Sequence, residues 1–221
     1  MIVMLEDAFK FYYKATKLKD MLRQGAVQWD IDKNRLESIA EHTYGCMILA
    51  IGLQSELDLD IDLGKTLEMI TIHELEELFI GDITPLDNID KKSLKTKARQ
   101  AVCSLVEKLG RKEKLIELTD DFNNSSSEEA KFAKAVDKLE CVLEFKKYQD
   151  LGQVSLGHLK PEMLSNKYLK DFVESGKYDL ADIFFLYHMS AFKDYGIDEE
   201  YWYKHLKPLK LPQAKNELDK Q

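Results

Sequence analysis

Residues that interrupt helices are scarce in this sequence, which has 10 glycines and 4 prolines among 221 residues. Glycine and proline are the strongest local breaks in regular structure, and short strands joined by tight turns need many of them. Long helices therefore fit this sequence better than many short strands do. The sequence also has no alternation of strand and helix patterns and no glycine-rich phosphate loop, which argues against Rossmann and P-loop folds. The sequence predicts an all-α fold.

Apolar residues recur at helical spacing along most of the chain. The serines that end the segment Asn123–Ser127 are expected to cap the helix that begins at Glu128. A chain of this length can bury a large core, so we expect a single domain over residues 1–221, with further helices and a tail after about residue 150. Loops are expected at residues 23–36 and 57–65, and helices at residues 5–22, 38–53, 66–79, 91–110, 112–122, 128–148, around 170–174 and 179–193.

The protein is acidic, with 32 Lys and Arg against 40 Asp and Glu and a formal net charge of −8. A negatively charged surface repels a polyanion, so a nucleic-acid polymer is not an expected partner. A single nucleotide is compatible with this charge, because a bound divalent cation can reverse the local field. The sequence shows no signal peptide, no apolar run long enough to span a membrane, and three isolated cysteines without a CxxC pair. These features predict a cytoplasmic protein without a membrane partner.

The segment ITIHELEELFIGD, residues 70–82, contains the most informative polar residues. His73 and Glu77 are four residues apart and would share one face of a helix. Glu74 lies about 100° around the helix from His73, close enough for both side chains to reach one ion. Imidazole together with carboxylate suits Mn, Fe, Co, Ni or Zn better than Ca or Mg alone.

Two metalloenzyme motifs can be excluded for this segment. Glu77 stands where the HExxH motif needs its second histidine, so the zinc-protease interpretation fails. Ile70 stands where a carboxylate-bridged di-iron helix would need a glutamate. A cluster of glutamates is commonly a solvated helix face, and Glu76 is expected to be solvated or structural. The rest of the segment is apolar almost all round, however, and buried carboxylates need a cation or hydrogen-bonding partners.

Two further polar residues interrupt apolar helices. His42 lies in RLESIAEHTYG and Asp137 in AKAVDKLECVLEF. Taken alone, such a histidine is more often a hydrogen-bonded core residue, and such an aspartate is more often a cap or an ion-pair partner. Neither segment by itself predicts a metal site.

The order of these segments resembles the HD-domain phosphohydrolases, in particular their 5'-deoxynucleotidase branch. That family has the pattern H…HD…D with its first histidine in a segment like ESVAEH, and the resemblance covers about residues 5–150. One departure is the glutamate at position 74, where the family has its namesake aspartate. The matching elements are ESIAEH ending at His42, the pair His73-Glu74, Gly81-Asp82-Ile83-Thr84-Pro85, Asp137 in VDKLE, and Leu18-Lys19 with Arg23-Gln24-Gly25.

The resemblance implies an HD-domain helical bundle with extra C-terminal helices, and an enzyme that hydrolyses nucleoside 5'-monophosphates with a preference for deoxyribonucleotides. It implies one divalent metal ion (Mn, Co, Fe, Ni, Zn or Mg) and a homodimer. Glu77 would orient or deprotonate the attacking water, Asp82 would act beside it, and Arg23 would contact the phosphate. The implied metal ligands are His42, His73, Glu74 and Asp137.

Two alternatives keep the same fold. HD proteins also include hydrolases of guanosine tetraphosphate and of cyclic nucleotides, and the spacing of the motifs does not choose among these substrates. The change at position 74 also allows a non-catalytic module that binds a metal or a nucleotide.

Overall fold

Helices form nearly all the regular structure in the computed structural model, which describes residues 2–31, 35–57, 59–84, 87 and 91–154. Within these residues the exception is one isolated antiparallel bridge between Leu22 and Ser38. The all-α prediction is confirmed. A 3₁₀ helix (Thr16–Lys19) follows the first of the α-helices, which are α1 (Ile2–Ala15), α2 (Gln24–Gln28), α3 (Ile39–Leu57), α4 (Leu63–Ile72), α5 (Glu77–Ile80), α6 (Lys91–Val106), α7 (Lys112–Asn124) and α8 (Glu128–Asp150).

Three helices, α3, α4 and α8, pack against one another at the centre of the bundle. Most of their buried side chains are apolar, and Ile39, Met69, Ile70, Phe132 and Val136 are completely buried. Helix α7 lies against α4 and α8, and α6 lies against α7 and α5. The three segments that carry the predicted metal ligands are therefore adjacent in space.

The start of α8 is held by side chains from three helices. Ser127 Oγ accepts a hydrogen bond from the backbone N–H of Ala130 at 3.2 Å, which confirms the predicted serine cap. Lys65 on α4 forms ion pairs with Asp121 on α7 at 2.9 Å and with Glu129 on α8 at 3.2 Å. These contacts fix the N-terminal end of α8 relative to α4.

The prediction of one helix over residues 66–79 is wrong. The helix starts earlier, at Leu63, because the side chain of Asp62 caps it by accepting from the N–H of Lys65. It ends at Ile72, and residues 73–76 form a turn before α5. In this turn the N–H of Leu75 donates to the carbonyl of Ile72, a three-residue spacing that is tighter than that of an α-helix. His73 and Glu74 therefore stand in a turn between two helices.

Three other predicted boundaries also differ from the structure. Residues 23–36 are not entirely loop, because they contain α2 and the packed side chain of Trp29, whose ring centroid lies 4.9 Å from that of Phe145 on α8. The helix predicted for residues 5–22 ends as an α-helix at Ala15, and the one predicted for residues 91–110 ends at Val106.

The predicted C-terminal helices and the extent of the single domain lie outside the described residues. None of the described helices has both the length and the apolarity of a membrane span.

Candidate metal centre and active site

Two histidines and two carboxylates converge where α3, α8 and the turn after α4 meet. His42 Nε2 lies 3.2 Å from Asp137 Oδ1 and 3.4 Å from Glu74 Oε1. His73 Nε2 lies 3.3 Å from the same Glu74 oxygen and 3.9 Å from Asp137 Oδ1. The structure thus brings together all four residues that the sequence predicts as metal ligands.

Both imidazoles are held through Nδ1, so that Nε2 of each ring faces the other side chains of the cluster. His73 Nδ1 donates to the backbone carbonyl of Ile70 at 2.6 Å. His42 Nδ1 lies 2.5 Å from the carboxylate of Glu140, which accepts a hydrogen bond from it. A neutral imidazole protonated at Nδ1 has its lone pair on Nε2, the form that binds a metal ion.

The spacing of these atoms fits a divalent cation. Ligands about 2.0–2.2 Å from one ion stand roughly 2.8–3.6 Å apart in octahedral or tetrahedral sites, and the separations of 3.2, 3.3 and 3.4 Å in this cluster fall in that range. His73 Nε2 is buried and makes no hydrogen bond to any described residue, although a buried ring nitrogen normally has a partner. The second oxygen of Asp137 is already taken by Lys138 Nζ at 2.7 Å, which turns Oδ1 toward the histidines. The donor set suits a transition-metal ion bound by nitrogen and oxygen.

Cys46, one turn after His42 on α3, also lies beside this cluster and is fully buried. Its sulfur is 3.6 Å from His42 Nε2 and 3.8 Å from His42 Nδ1. A sulfur almost equidistant from both ring nitrogens is out of line with the Nε2 lone pair, which points away from Nδ1. We therefore read Cys46 as packing against His42 and do not include it among the ligands.

The carboxylates of the cluster divide into two kinds by their pKa. Burial opposes ionisation of Glu74, but His73, His42 and Arg23 together hold its pKa well below the usual range. Burial likewise opposes ionisation of Asp137, whose pKa Lys138 and the histidines nevertheless lower. At neutral pH both are anionic, as metal ligands must be.

Glu77 behaves in the opposite way. Burial raises its pKa well above the usual range, and the nearby charges of Glu74 and Asp82 raise it further. Its Oε2 atom is buried and has no hydrogen-bond partner among the described residues. A pair of carboxylates with opposite shifts in one pocket is typical of acid–base chemistry.

Glu76 is only partly exposed, which favours a structural over a solvated position, the two expectations for it. Its Oε2 is buried without a hydrogen-bond partner in the described structure. Burial, together with the charge of Glu74, raises its pKa to about 7.

Arg23 and Asp82 meet at the edge of the ligand cluster. Arg23 Nη1 lies 3.3 Å from Glu74 Oε1 and 3.4 Å from Asp82 Oδ1. The other oxygen of Asp82 accepts from the backbone N–H of Gln24 at 2.7 Å, at the start of α2. Asp82 therefore holds the segment that carries Arg23, and the guanidinium places a positive charge next to the predicted ligands.

Two residues that support the site, Glu140 and Lys138, were not singled out from the sequence. Both lie in the VDKLE segment, where Glu140 follows Asp137 by three residues and so shares its helix face. That spacing was a usable signal for Glu140. No comparable signal existed for its partner, because His42 and Glu140 are 98 residues apart in the chain.

A helical bundle that gathers two histidines and two carboxylates around one point defines a class of metal-binding α-helical proteins. The profile of the HD domain family matches residues 15–172. The chain therefore belongs to the HD domain family.

Similar proteins carry consistent names. The 5'-deoxynucleotidase HDDC2 of Mus musculus is 28% identical over 144 residues, which are 64% of this chain and 70% of that protein. The 5'-deoxynucleotidase hdd1 of Schizosaccharomyces pombe is 30% identical over 140 residues, 61% of this chain and 68% of that protein.

Solved structures show the same fold. A predicted metal-dependent phosphohydrolase from Magnetospirillum magnetotacticum, 24% identical, superposes with a TM-score of 0.60 over 88% of this chain and 96% of its own. A conserved hypothetical protein from Pyrococcus furiosus, 23% identical, has a TM-score of 0.57 over 76% of this chain and 97% of its own.

Proposed function

We propose that this HD-domain protein is a metal-dependent phosphohydrolase that releases phosphate from nucleoside 5'-monophosphates, with deoxyribonucleotides favoured. The observation that carries the proposal is the convergence of His42, His73, Glu74 and Asp137, in which both Nε2 atoms and one oxygen of each carboxylate lie within 3.9 Å of a neighbouring ligand atom. The names of the similar 5'-deoxynucleotidases support the substrate class.

His42, His73, Glu74 and Asp137 would hold the ion. When bound, a divalent ion offsets the charge of the phosphate and makes a bound water easier to deprotonate. The remaining steps belong to side chains of this chain. Arg23, held by Glu74 and Asp82, offers a planar guanidinium whose remaining N–H groups can donate to phosphate oxygens.

Glu77 is the proposed general base. When Glu77 is ionised, its Oε2 can accept a proton from the attacking water, and the raised pKa makes the carboxylate a stronger base. The proton can then pass to the leaving 5'-oxygen of the nucleoside. Asp82 keeps Arg23 and the start of α2 in place while the phosphate binds.

A substrate panel tests the proposal. Phosphate release would be measured from deoxyribo- and ribonucleoside 5'-monophosphates with Mn, Co, Fe, Ni, Zn or Mg added singly, and again after treatment with a chelator. We expect release from the deoxyribonucleotides, loss on chelation and recovery when the metal returns. No release from any deoxynucleoside monophosphate with any of these ions would overturn the proposal. Release only from guanosine tetraphosphate or a cyclic nucleotide would assign the site to one of the other HD hydrolase substrates.

The role of Glu77 has its own test. Glu77→Gln keeps the size of the side chain and removes the base, so we expect turnover to fall about 10²–10⁴-fold. Glu68→Gln is the matched control, because Glu68 is half-exposed on α4 and pairs with Lys114 on the outside of the bundle. Unchanged turnover in Glu77→Gln would contradict the assignment.

A homodimer and a cytoplasmic location complete the proposal. Light scattering on the full chain measures the assembly directly. One chain has a mass of 25.6 kDa, so a value near twice that mass is expected and a value near 25.6 kDa would contradict the dimer.

A further inference from the structure

Glu140 has no place in the proposed reaction, yet it is buried beside the ligand cluster. Its side chain projects from α8 and is 9% exposed. One carboxylate oxygen, Oε2, lies 2.5 Å from His42 Nδ1 on α3, on the side of the ring away from the other ligands. Glu140 therefore contacts a predicted ligand without facing the ion itself.

This contact decides which nitrogen of His42 is available. A carboxylate accepts hydrogen bonds and donates none when ionised, so the proton of the pair stays between Nδ1 and Glu140. Nε2 is then left to face Asp137 Oδ1 and Glu74 Oε1. Outer-shell carboxylates of this kind fix both the tautomer and the orientation of metal-binding histidines.

Gly45 explains how Glu140 can approach so closely. It lies inside α3, where glycine costs about 1 kcal/mol of stability relative to alanine. A Cβ atom built on Gly45 would lie 2.3 Å from Glu140 Oε1, 3.0 Å from its Cδ and 3.1 Å from its Cγ. Any other residue at position 45 would push the carboxylate of Glu140 aside, away from its place against His42.

We propose that Glu140 is the positioning residue of His42 and that Gly45 is required in α3 because its missing side chain leaves the space for Glu140. The pair sets the affinity of the site for its metal ion without touching the ion. The proposal rests on the proposed metal centre, but it does not depend on which substrate is hydrolysed.

A double-mutant cycle on zinc affinity tests this inference. Zinc dissociation constants would be measured by competition with a chromogenic chelator for wild type, Gly45→Ala, Glu140→Ala and the double variant, with no nucleotide present. Each single variant is expected to weaken binding about 10–100-fold. If Gly45 acts through Glu140, then Gly45→Ala should change the affinity less than about twofold once Glu140 is already alanine.

Gly52→Ala is the matched control. Gly52 lies in the same helix, and a Cβ there would have no atom within 4 Å, so zinc affinity should not change. Glu140→Gln provides the conservative variant, because its amide oxygen can still accept from Nδ1, and it should bind zinc more tightly than Glu140→Ala does. Thermal unfolding of each variant checks that it is folded, and Glu140→Gln carries the test if Glu140→Ala does not fold.

A spectroscopic measurement separates positioning from general support of the fold. In ¹H–¹⁵N spectra of the imidazoles, wild type should show a His42 proton on Nδ1 that exchanges slowly with water, and Glu140→Ala should lose that protection. If Gly45→Ala weakens zinc binding equally in wild type and in Glu140→Ala, the proposed role of Gly45 is overturned. Wild-type zinc affinity and an unchanged Nδ1 proton in Glu140→Ala would overturn the role of Glu140, as would a wild-type chain that does not bind zinc. If the zinc affinities follow the predicted double-mutant cycle but the wild-type protein releases no phosphate, then the proposed function is refuted and this inference stands.

Discussion

His73 Nδ1 donates to the backbone carbonyl of Ile70, three residues earlier in the chain, at 2.6 Å. His73, a predicted ligand, is therefore oriented by the last turn of α4, the helix just before it, whereas His42 depends on Glu140 from another helix. The two histidines of the site are fixed by different means, one local and one tertiary. The orientation of His73 should accordingly survive changes at α8 that release His42.

Position 74 is glutamate where the HD-domain pattern has aspartate. The geometry of Glu74 predicts that different substitutions there will weaken metal binding to different extents. Glu74 Oε1 lies within 3.4 Å of Nε2 of both histidines, so the longer side chain still reaches the site. Glu74→Asp keeps the charge, so its metal affinity should stay within about tenfold of wild type. Glu74→Gln removes a charged ligand, so its metal affinity should fall by more than the roughly 10–100-fold typical of changes to residues that only support a ligand. Chelator competition measures both. If Glu74→Asp creates phosphate release that wild type lacks, the native chain is a binding module.

Arg23 is expected to act on nucleotide binding more than on turnover. Its guanidinium is held by Glu74 and Asp82, and a lysine cannot reproduce that planar arrangement of donors. Arg23→Lys should raise KM for a nucleoside monophosphate about 10–100-fold with a smaller change in kcat, because one charge-assisted hydrogen bond is worth about 1.5–3 kcal/mol. Arg99→Lys, which alters an exposed pair with Asp120 between α6 and α7, is the control. A fall in kcat at unchanged KM would contradict phosphate binding by Arg23.

The cap of α8 predicts a measurable loss of stability. Ser127 Oγ accepts from the N–H of Ala130, so Ser127→Ala should lower the free energy of unfolding by about 1 kcal/mol. Urea denaturation should show a lower midpoint with an unchanged slope. Ser126→Ala, at the exposed neighbouring position, should stay within about 0.5 kcal/mol of wild type. Equal losses in both variants would mean that the cap does not stabilise α8.

The buried side chain of Lys134 is expected to make the folded protein more stable as pH rises. It is 7% exposed, and its Nζ donates to the carbonyls of Phe122 and Asn123 at the end of α7. Burial lowers its pKa in the folded state to about 8 from 10.5. Between these two values the unfolded chain binds more protons than the folded one, so folding becomes more favourable as pH rises, and this gain is lost as pH falls through about 8.

Comparison with Lys134→Met isolates this effect from other groups that titrate. The free energy of unfolding of wild type minus that of the variant should increase by about 2 kcal/mol between pH 7.5 and pH 10. Urea denaturation at several pH values gives the difference directly. A difference that stays constant across this range would show that the pKa of Lys134 is not lowered.

The local pattern of apolar residues was sufficient to predict much of the helical architecture. Helices α3, α7 and α8 lie close to their predicted ranges, because each has a run of apolar residues at helical spacing and α8 has a serine at its start. The scarcity of glycine and proline correctly indicated an all-α fold. The motifs also named the four side chains that converge, although metal binding itself stays a prediction.

Other features depended on contacts that no local pattern contains. The helix predicted through His73 stops at Ile72, where tight-turn bonds and the bond from His73 to Ile70 replace regular helical geometry. The first N–H of α2, within residues 23–36, donates to Asp82, which lies 58 residues away from Gln24.

The helical class and most helix positions could be predicted because periodicity and residue type act over a few neighbours, whereas the four converging side chains were implied by the resemblance to the HD-domain family. The orientation of His42 and the need for glycine at position 45 could not be predicted in this way. Both depend on Glu140, which lies 98 residues beyond His42 and reaches it only when α3 and α8 pack together. The free energy of that contact arises from burial and hydrogen bonding between distant segments, which spacing along the chain does not encode.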